Sequence, residues 1–100
     1  MSADVSVSLS GGDGQPRCVI QGVLDFTTAT QTLEQVAAHI ADNKMLDIDL
    51  SGVTSANSAG LALLIEWLAL ARGTGHEVTF HHIPDGLRQL AGVCQVDGLI

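Results

Sequence analysis

Hydrophobic and polar positions alternate at the start of the chain. Val5, Val7 and Leu9 are separated by Ser6, Ser8 and Ser10, the period-two pattern of a half-exposed strand. Gly11-Gly12-Asp13-Gly14 breaks it with turn chemistry, and Arg17 to Gln21 predicts a second strand, so the pair reads as an antiparallel hairpin at a sheet edge. The period then changes. After Gly22-Val23-Leu24-Asp25, with Thr27 or Thr28 able to cap, Leu33, Val36, Ala37 and Ile40 recur at helical spacing until Asn43-Lys44 ends the run. Met45 to Leu50 returns to period two, with Leu46, Ile48 and Leu50 on one side and Asp47 and Asp49 on the other. A small-residue stretch from Ser51 to Gly60 reads as a loop, and a leucine-rich helix follows up to the glycine stop Gly73-Thr74-Gly75. Glu77 to His81 predicts another strand, with Val78 and Phe80 inward. Pro84-Asp85 opens a last helix with Leu87, Leu90, Ala91 and Cys94 on one side, and Val96 to Ile100 is either an edge strand or a loosely attached tail.

The order β-β-α-β-α-β-α predicts a single α/β domain over residues 1–100. It combines a hairpin with strands joined by crossover helices, and those strands must run parallel with right-handed connections. Three helices suit a mixed sheet covered mainly on one face. The other face is then left to water or a partner.

The central helix stands out. At about 100° per residue from Leu61, the residues Leu64, Ile65 and Leu68 form one apolar stripe, while Leu63, Trp67 and Leu70 fall at about 200°, 240° and 180°. Packing of the second stripe against a neighbouring helix is the ordinary explanation for such residues. A Trp flanked by two Leu is also the composition of an interface anchor. The expectation adopted is a partner-binding face at Leu63, Trp67 and Leu70.

Charge narrows the choice of partner. Four Lys+Arg against eleven Asp+Glu give a net charge of −7, which repels nucleic-acid backbones and anionic headgroups. The longest apolar run falls short of the roughly 20 residues that cross a bilayer. Cys18 and Cys94 are far apart without metal-ligand spacing, and no charged-then-apolar leader precedes Asp4, so a reduced, cytoplasmic setting is expected. A Gly-rich loop ending in GK[ST] is absent, and the lone lysine, Lys44, lies in no such loop. Among the histidines His39, His76, His81 and His82, the last two should point to opposite faces of a strand without a ligand partner. Asp47 and Asp49 share a strand face, for which solvation is the ordinary explanation. The reading is of no enzyme, no metal and no cofactor.

The loop before the central helix carries the most specific signal. Asn57 or Ser58 can cap the helix start, where a phosphate would also be electrostatically favoured. The stretch DLSGVTSANSAGLALLI, with Gly22-Val23-Leu24-Asp25 before it, resembles the STAS domain family of anti-sigma-factor antagonists and of the cytoplasmic parts of some anion transporters. Asp49, Leu50, Ser51, Val53, Ser58, Gly60 and Leu61 carry the resemblance. The leucine-rich continuation resembles most the MlaB branch, the small STAS subunit of the Mla phospholipid transporters of Gram-negative bacteria.

That resemblance implies a non-catalytic subunit of an intermembrane phospholipid ABC transport system. It would sit on the cytoplasmic side, peripheral to the inner membrane, binding and supporting the ATPase subunit MlaF in complex with the permease MlaE. Asn57, Ser58 and Ala59 would join Leu63, Trp67 and Leu70 as partner-binding residues. The alternative is an anti-sigma-factor antagonist regulated by phosphorylation of Ser58. Asn57 stands where the family usually has Asp, which tilts the reading toward a constitutive contact. A homodimer of the isolated chain through its apolar helix, and a small ligand on the open sheet face, are further expectations.

Overall fold

The computed structural model describes residues 5–11 and 16–100, with only the backbone of Asp97. The elements are β1 (Val5–Ser10), β2 (Arg17–Leu24), α1 (Ala29–Asp42), β3 (Met45–Ala56), α2 (Ser58–Thr74), β4 (Glu77–His81) and α3 (Asp85–Val93), followed by a short 3₁₀ turn at Asp97–Leu99. Among the described residues the strands form one sheet in the order β1-β2-β3-β4. The hairpin β1–β2 is antiparallel, with Val7 opposite Ile20. Both β2–β3 and β3–β4 are parallel. This is the mixed α/β sheet that the order of elements predicts. The hairpin turn expected at Gly12-Asp13-Gly14 lies outside the described residues.

Alternation decides the layers. Cys18, Ile20, Leu24, Leu46, Ile48 and Leu50 point to one side of the sheet and are buried beneath the helices. Arg17, Val19, Asp47, Asp49, Thr79 and His81 occupy the other face, which no helix of the described residues covers. On β1, Ser6, Ser8 and Ser10 are exposed as expected.

Two strands outrun their sequence signals. β2 continues past Gln21 to Leu24, and β3 continues past Leu50 to Ala56, because the two pair along this length and each stabilises the other. Register shifts between Val19 and Gln21 and between Gly22 and Val23 disturb the period-two pattern that would have marked the extension. At Gly52 the strands approach so closely that a Cβ would stand 2.6 Å from Gln21 Cγ. The expected loop of ten residues therefore shrinks to Asn57 alone.

Smaller expectations also change. Thr28 is the N-cap of α1 but makes no capping bond: its hydroxyl donates to Val23 O at 2.9 Å and accepts from Asp25 N–H at 3.1 Å. Cys94 is the exposed C-cap of α3, and the tail adds no strand. Gly75, in the left-handed region at φ 75°, closes α2 as its glycine stop predicts.

The largest correction concerns α2. Trp67 is 0% exposed and Leu63 4%. The indole N–H points to Leu33 O of α1 at 3.4 Å, and Ala59, Ala62 and Leu63 face Ala29 and Leu33 across an open cleft on the same seam. Leu63 and Trp67 of the second stripe are thus buried within the chain, as are Leu61 and Leu64 on the first. Of the predicted partner-binding stripe only Leu70, at 37%, reaches solvent. Leu63 and Trp67 are core residues of this chain.

Candidate functional site

The C-terminal ends of β2 and β3 lie side by side, and α1 and α2 start just beyond them. Asn57 N–H donates to Leu24 O at 3.2 Å, which ties the start of α2 to the end of β2. A Cβ on Gly60 would meet Ala56 Cβ at 3.2 Å and Leu24 Cβ at 3.3 Å, so glycine lets the first turn of α2 press against both strands. Between β2 and α1, the Asp25 carboxylate accepts from the Thr27 hydroxyl at 2.6 Å and from Thr27 N–H at 2.8 Å. The hydroxyl bond, then the backbone bond, holds the Asp25 pKa below the ordinary carboxylate value. This hydrogen-bonded turn presents Phe26 to solvent, 74% exposed.

Asn57 is the N-cap of α2. Its side-chain oxygen accepts from Ala59 N–H at 2.9 Å, and its backbone carbonyl accepts from Gly60 and Leu61 N–H. The orphan donors of the first turn are largely satisfied within the chain. Ser58, the first helical residue, is exposed, and its hydroxyl makes no side-chain bond among those of the described residues. Of the two capping candidates the structure thus selects Asn57, leaving Ser58 outward and accessible.

Beside this tip an open cleft of about 320 Å³ runs along the α1–α2 seam. Phe26, Ala29, Leu33, Ala59, Ala62 and Leu63 line it, with Glu66 supplying its single charge. The structure brings Asn57, Ser58 and Ala59 together at one end, makes Leu63 part of the cleft wall, buries Trp67 behind it and leaves Leu70 outside. Phe26 is the residue that sequence reasoning missed. Its signal was a large aromatic in a four-residue turn between polar neighbours, where no periodic pattern claims it.

The open sheet face carries a second cluster. Arg17 and Asp49 pair at 3.3 Å, His82 approaches Asp49 at 3.1 Å, and His81 approaches Asp47 at 3.0 Å. Both histidines therefore meet carboxylates, contrary to the expectation of opposite faces. His82 adopts φ 57°, which ends the strand and swings its ring back toward the side that His81 occupies. Ser51 N–H bonds, and the Ser51 side chain and His82 with it, pull the Asp49 pKa to about 2 against the opposing effect of burial. Among the described residues no three His, Cys, Asp or Glu side chains converge as metal ligands. Burial pushes the Cys18 thiol up to about 11, which keeps it protonated.

A family model described as "Mlab, STAS domain" matches residues 7–100. The chain belongs to the STAS family. No curated protein matches its sequence. Among solved structures, this STAS domain superposes on an anti-sigma factor antagonist from Mycobacterium paratuberculosis with a TM-score of 0.77 at 23% identity, covering 100% of this chain and 87% of that one. It is similar to the unphosphorylated form of the anti-sigma factor antagonist SpoIIAA, with a TM-score of 0.71 at 10% identity over 93% and 84% of the two chains. An antisigma-factor antagonist STAS domain from Rhodobacter sphaeroides gives 0.60 at 19% identity over 78% and 86%. At these identities the likeness is one of fold.

Proposed function

We propose that this STAS domain is a non-catalytic binding subunit of an Mla-type phospholipid ABC transporter, held at the cytoplasmic side of the inner membrane by the ATPase subunit MlaF in complex with the permease MlaE. The docking end consists of Asn57, Ser58 and the cleft rimmed by Phe26. The observation that carries the reading is Phe26, a large aromatic held in solvent over an apolar cleft whose wall includes Ala59, next to Ser58. Exposed aromatics beside a pocket are the usual anchors of protein interfaces. The MlaB name attached to the matching family model supports the choice of partner, and Asn57 in place of the usual Asp supports a contact that needs no phosphate switch.

Burial and exposure support a division of labour. Phe26 and the cleft supply apolar burial, the exposed Ser58 hydroxyl supplies register, and Trp67 stiffens the cleft from beneath without touching the partner. Co-expression with the cognate ATPase and permease tests the reading: the wild-type chain should co-purify with both, and Phe26→Asp should lose the ATPase at unchanged melting temperature. Retention of the ATPase by Phe26→Asp, or failure of the wild-type chain to co-purify, would reject it.

A second reading has its own support. SpoIIAA has been solved in a phosphorylated as well as an unphosphorylated form, and the Ser58 hydroxyl here is accessible. An antagonist of an anti-sigma factor would gain about −2 charge at Ser58 and lose its partner. Stoichiometric phosphorylation by a cognate kinase, seen by intact mass, together with release of a sigma-regulator complex, would favour it.

A further inference from the structure

The outer edge of β4 is the second place where this chain can receive a protein. Among the described residues β4 is the last strand of the sheet, and no other strand pairs with its outer side. Glu77 N–H donates inward, to Lys44 O at 2.7 Å. By the alternation of a strand, Thr79 and His81 also bond inward to β3, while the N–H and C=O groups of Val78 and Phe80 face outward. A groove of about 460 Å³, lined by Leu68, Arg72, His76 and Val78 among others, runs along this edge below the end of α2 and leaves it open to approach.

The strand Glu77-Val78-Thr79-Phe80-His81 complements its own reverse. If a second copy adds β4 antiparallel about a two-fold axis through Thr79, Val78 of each copy falls opposite Phe80 of the other. Those are the residues whose backbone groups face outward, so each pair exchanges two hydrogen bonds. Thr79 meets Thr79, and Glu77 meets His81 of the second copy, whose Nε2 lies 3.0 Å from Asp47 of its own chain, so that a second carboxylate comes to the same imidazole; both pairs fall at the closer, non-hydrogen-bonded positions on the open face. Aromatic with β-branched, hydroxyl with hydroxyl, and acid with base are each favourable cross-strand pairs. Shifting the register by two residues loses every one of these matches.

We propose that the chain associates with a second copy of itself through β4, joining two four-stranded sheets into one continuous eight-stranded sheet. The contact is isologous and closes as a dimer. It shares no residue with the Ser58 end, so it stands or falls independently of the transporter reading. It also places self-association at the sheet edge and not on α2, whose Leu63 and Trp67 are already buried. Two five-residue strands bury little area, so the dimer is weak.

Sedimentation equilibrium on the wild-type chain should show monomer passing to dimer at about 100 µM to 1 mM. Thr79→Lys sets two ammonium groups against each other across the axis and should weaken the dimer by about tenfold or more at unchanged melting temperature. Register is tested by cross-linking in a Cys94→Ser background, with Cys18 buried. Thr79→Cys places two thiols within disulfide reach and should cross-link under mild oxidation, whereas Glu77→Cys should not. A chain that stays monomeric to about 1 mM, a Thr79→Lys dimer as tight as wild type, or Glu77→Cys cross-linking as fast as Thr79→Cys would overturn the proposal.

Discussion

The open face of the sheet and the Ser58 end of the domain are both left uncovered by helices, yet they leave different things undone. On the open face the charges answer one another: Arg17 and His82 meet Asp49, and His81 meets Asp47. Among the described residues no buried side-chain nitrogen or oxygen lacks a hydrogen-bond partner. At the Ser58 end the polar groups are also mostly satisfied, by the Asn57 cap and the Asp25–Thr27 turn, but apolar surface is not: Phe26 stands in water beside a cleft that its own chain does not fill. A polar surface whose bonds close internally can remain in water without penalty. An exposed aromatic gains free energy only when something covers it. Exposure alone therefore does not mark a docking site, and the chemistry of what is exposed does.

Trp67 and Phe26 break this comparison most sharply. Trp67→Ala empties the centre of the α1–α2 seam and should cost about 3–5 kcal/mol in denaturant unfolding, a large share of a small domain's stability. Asp49→Asn should cost about 1–2 kcal/mol by loosening the bonds to Ser51, Arg17 and His82. The acid dependence has a definite sign. Because folding depresses the Asp49 pKa from 3.8 to about 2, its contribution is present above the unfolded value and is lost as pH falls through the folded one. Wild-type stability should thus fall between about pH 4 and pH 2 more steeply than that of Asp49→Asn, as pH-dependent denaturant melts would show.

Asn57→Ala removes the cap of α2 and should cost about 1 kcal/mol, with melting temperature as the readout. Phe26→Ala should change stability by no more than about 0.5 kcal/mol while weakening partner binding about tenfold or more by calorimetry. Ser58→Ala is the smallest case: its hydroxyl serves no bond among the described residues, so melting should not move and any loss of partner affinity reports the contact directly.

Much of this protein was written locally. The serine alternation of β1, the amphipathic spacing of α1, the glycine stop after α2 and the Pro84-Asp85 start of α3 act over a few residues, where covalent geometry and side-chain periodicity suffice. The family signature from Asp49 to Leu61 likewise pointed to the tip where Asn57 and Ser58 now stand. Other features depend on pairing between distant segments. β3 reaches Ala56 only because β2 runs beside it, and a register shift erased the alternation that would have announced this.

The same holds for the site. Periodicity established that α2 has two apolar faces, but it carries no information on how many layers will cover them. Tertiary packing buried Leu63 and Trp67, so the residues that looked most like a partner surface became core, and Phe26, which no pattern claimed, was left exposed beside the cleft. The angle of a side chain on its helix is a property of the chain's own repeat. What lies opposite that side chain is decided by segments tens of residues away, and only the folded structure brings them together.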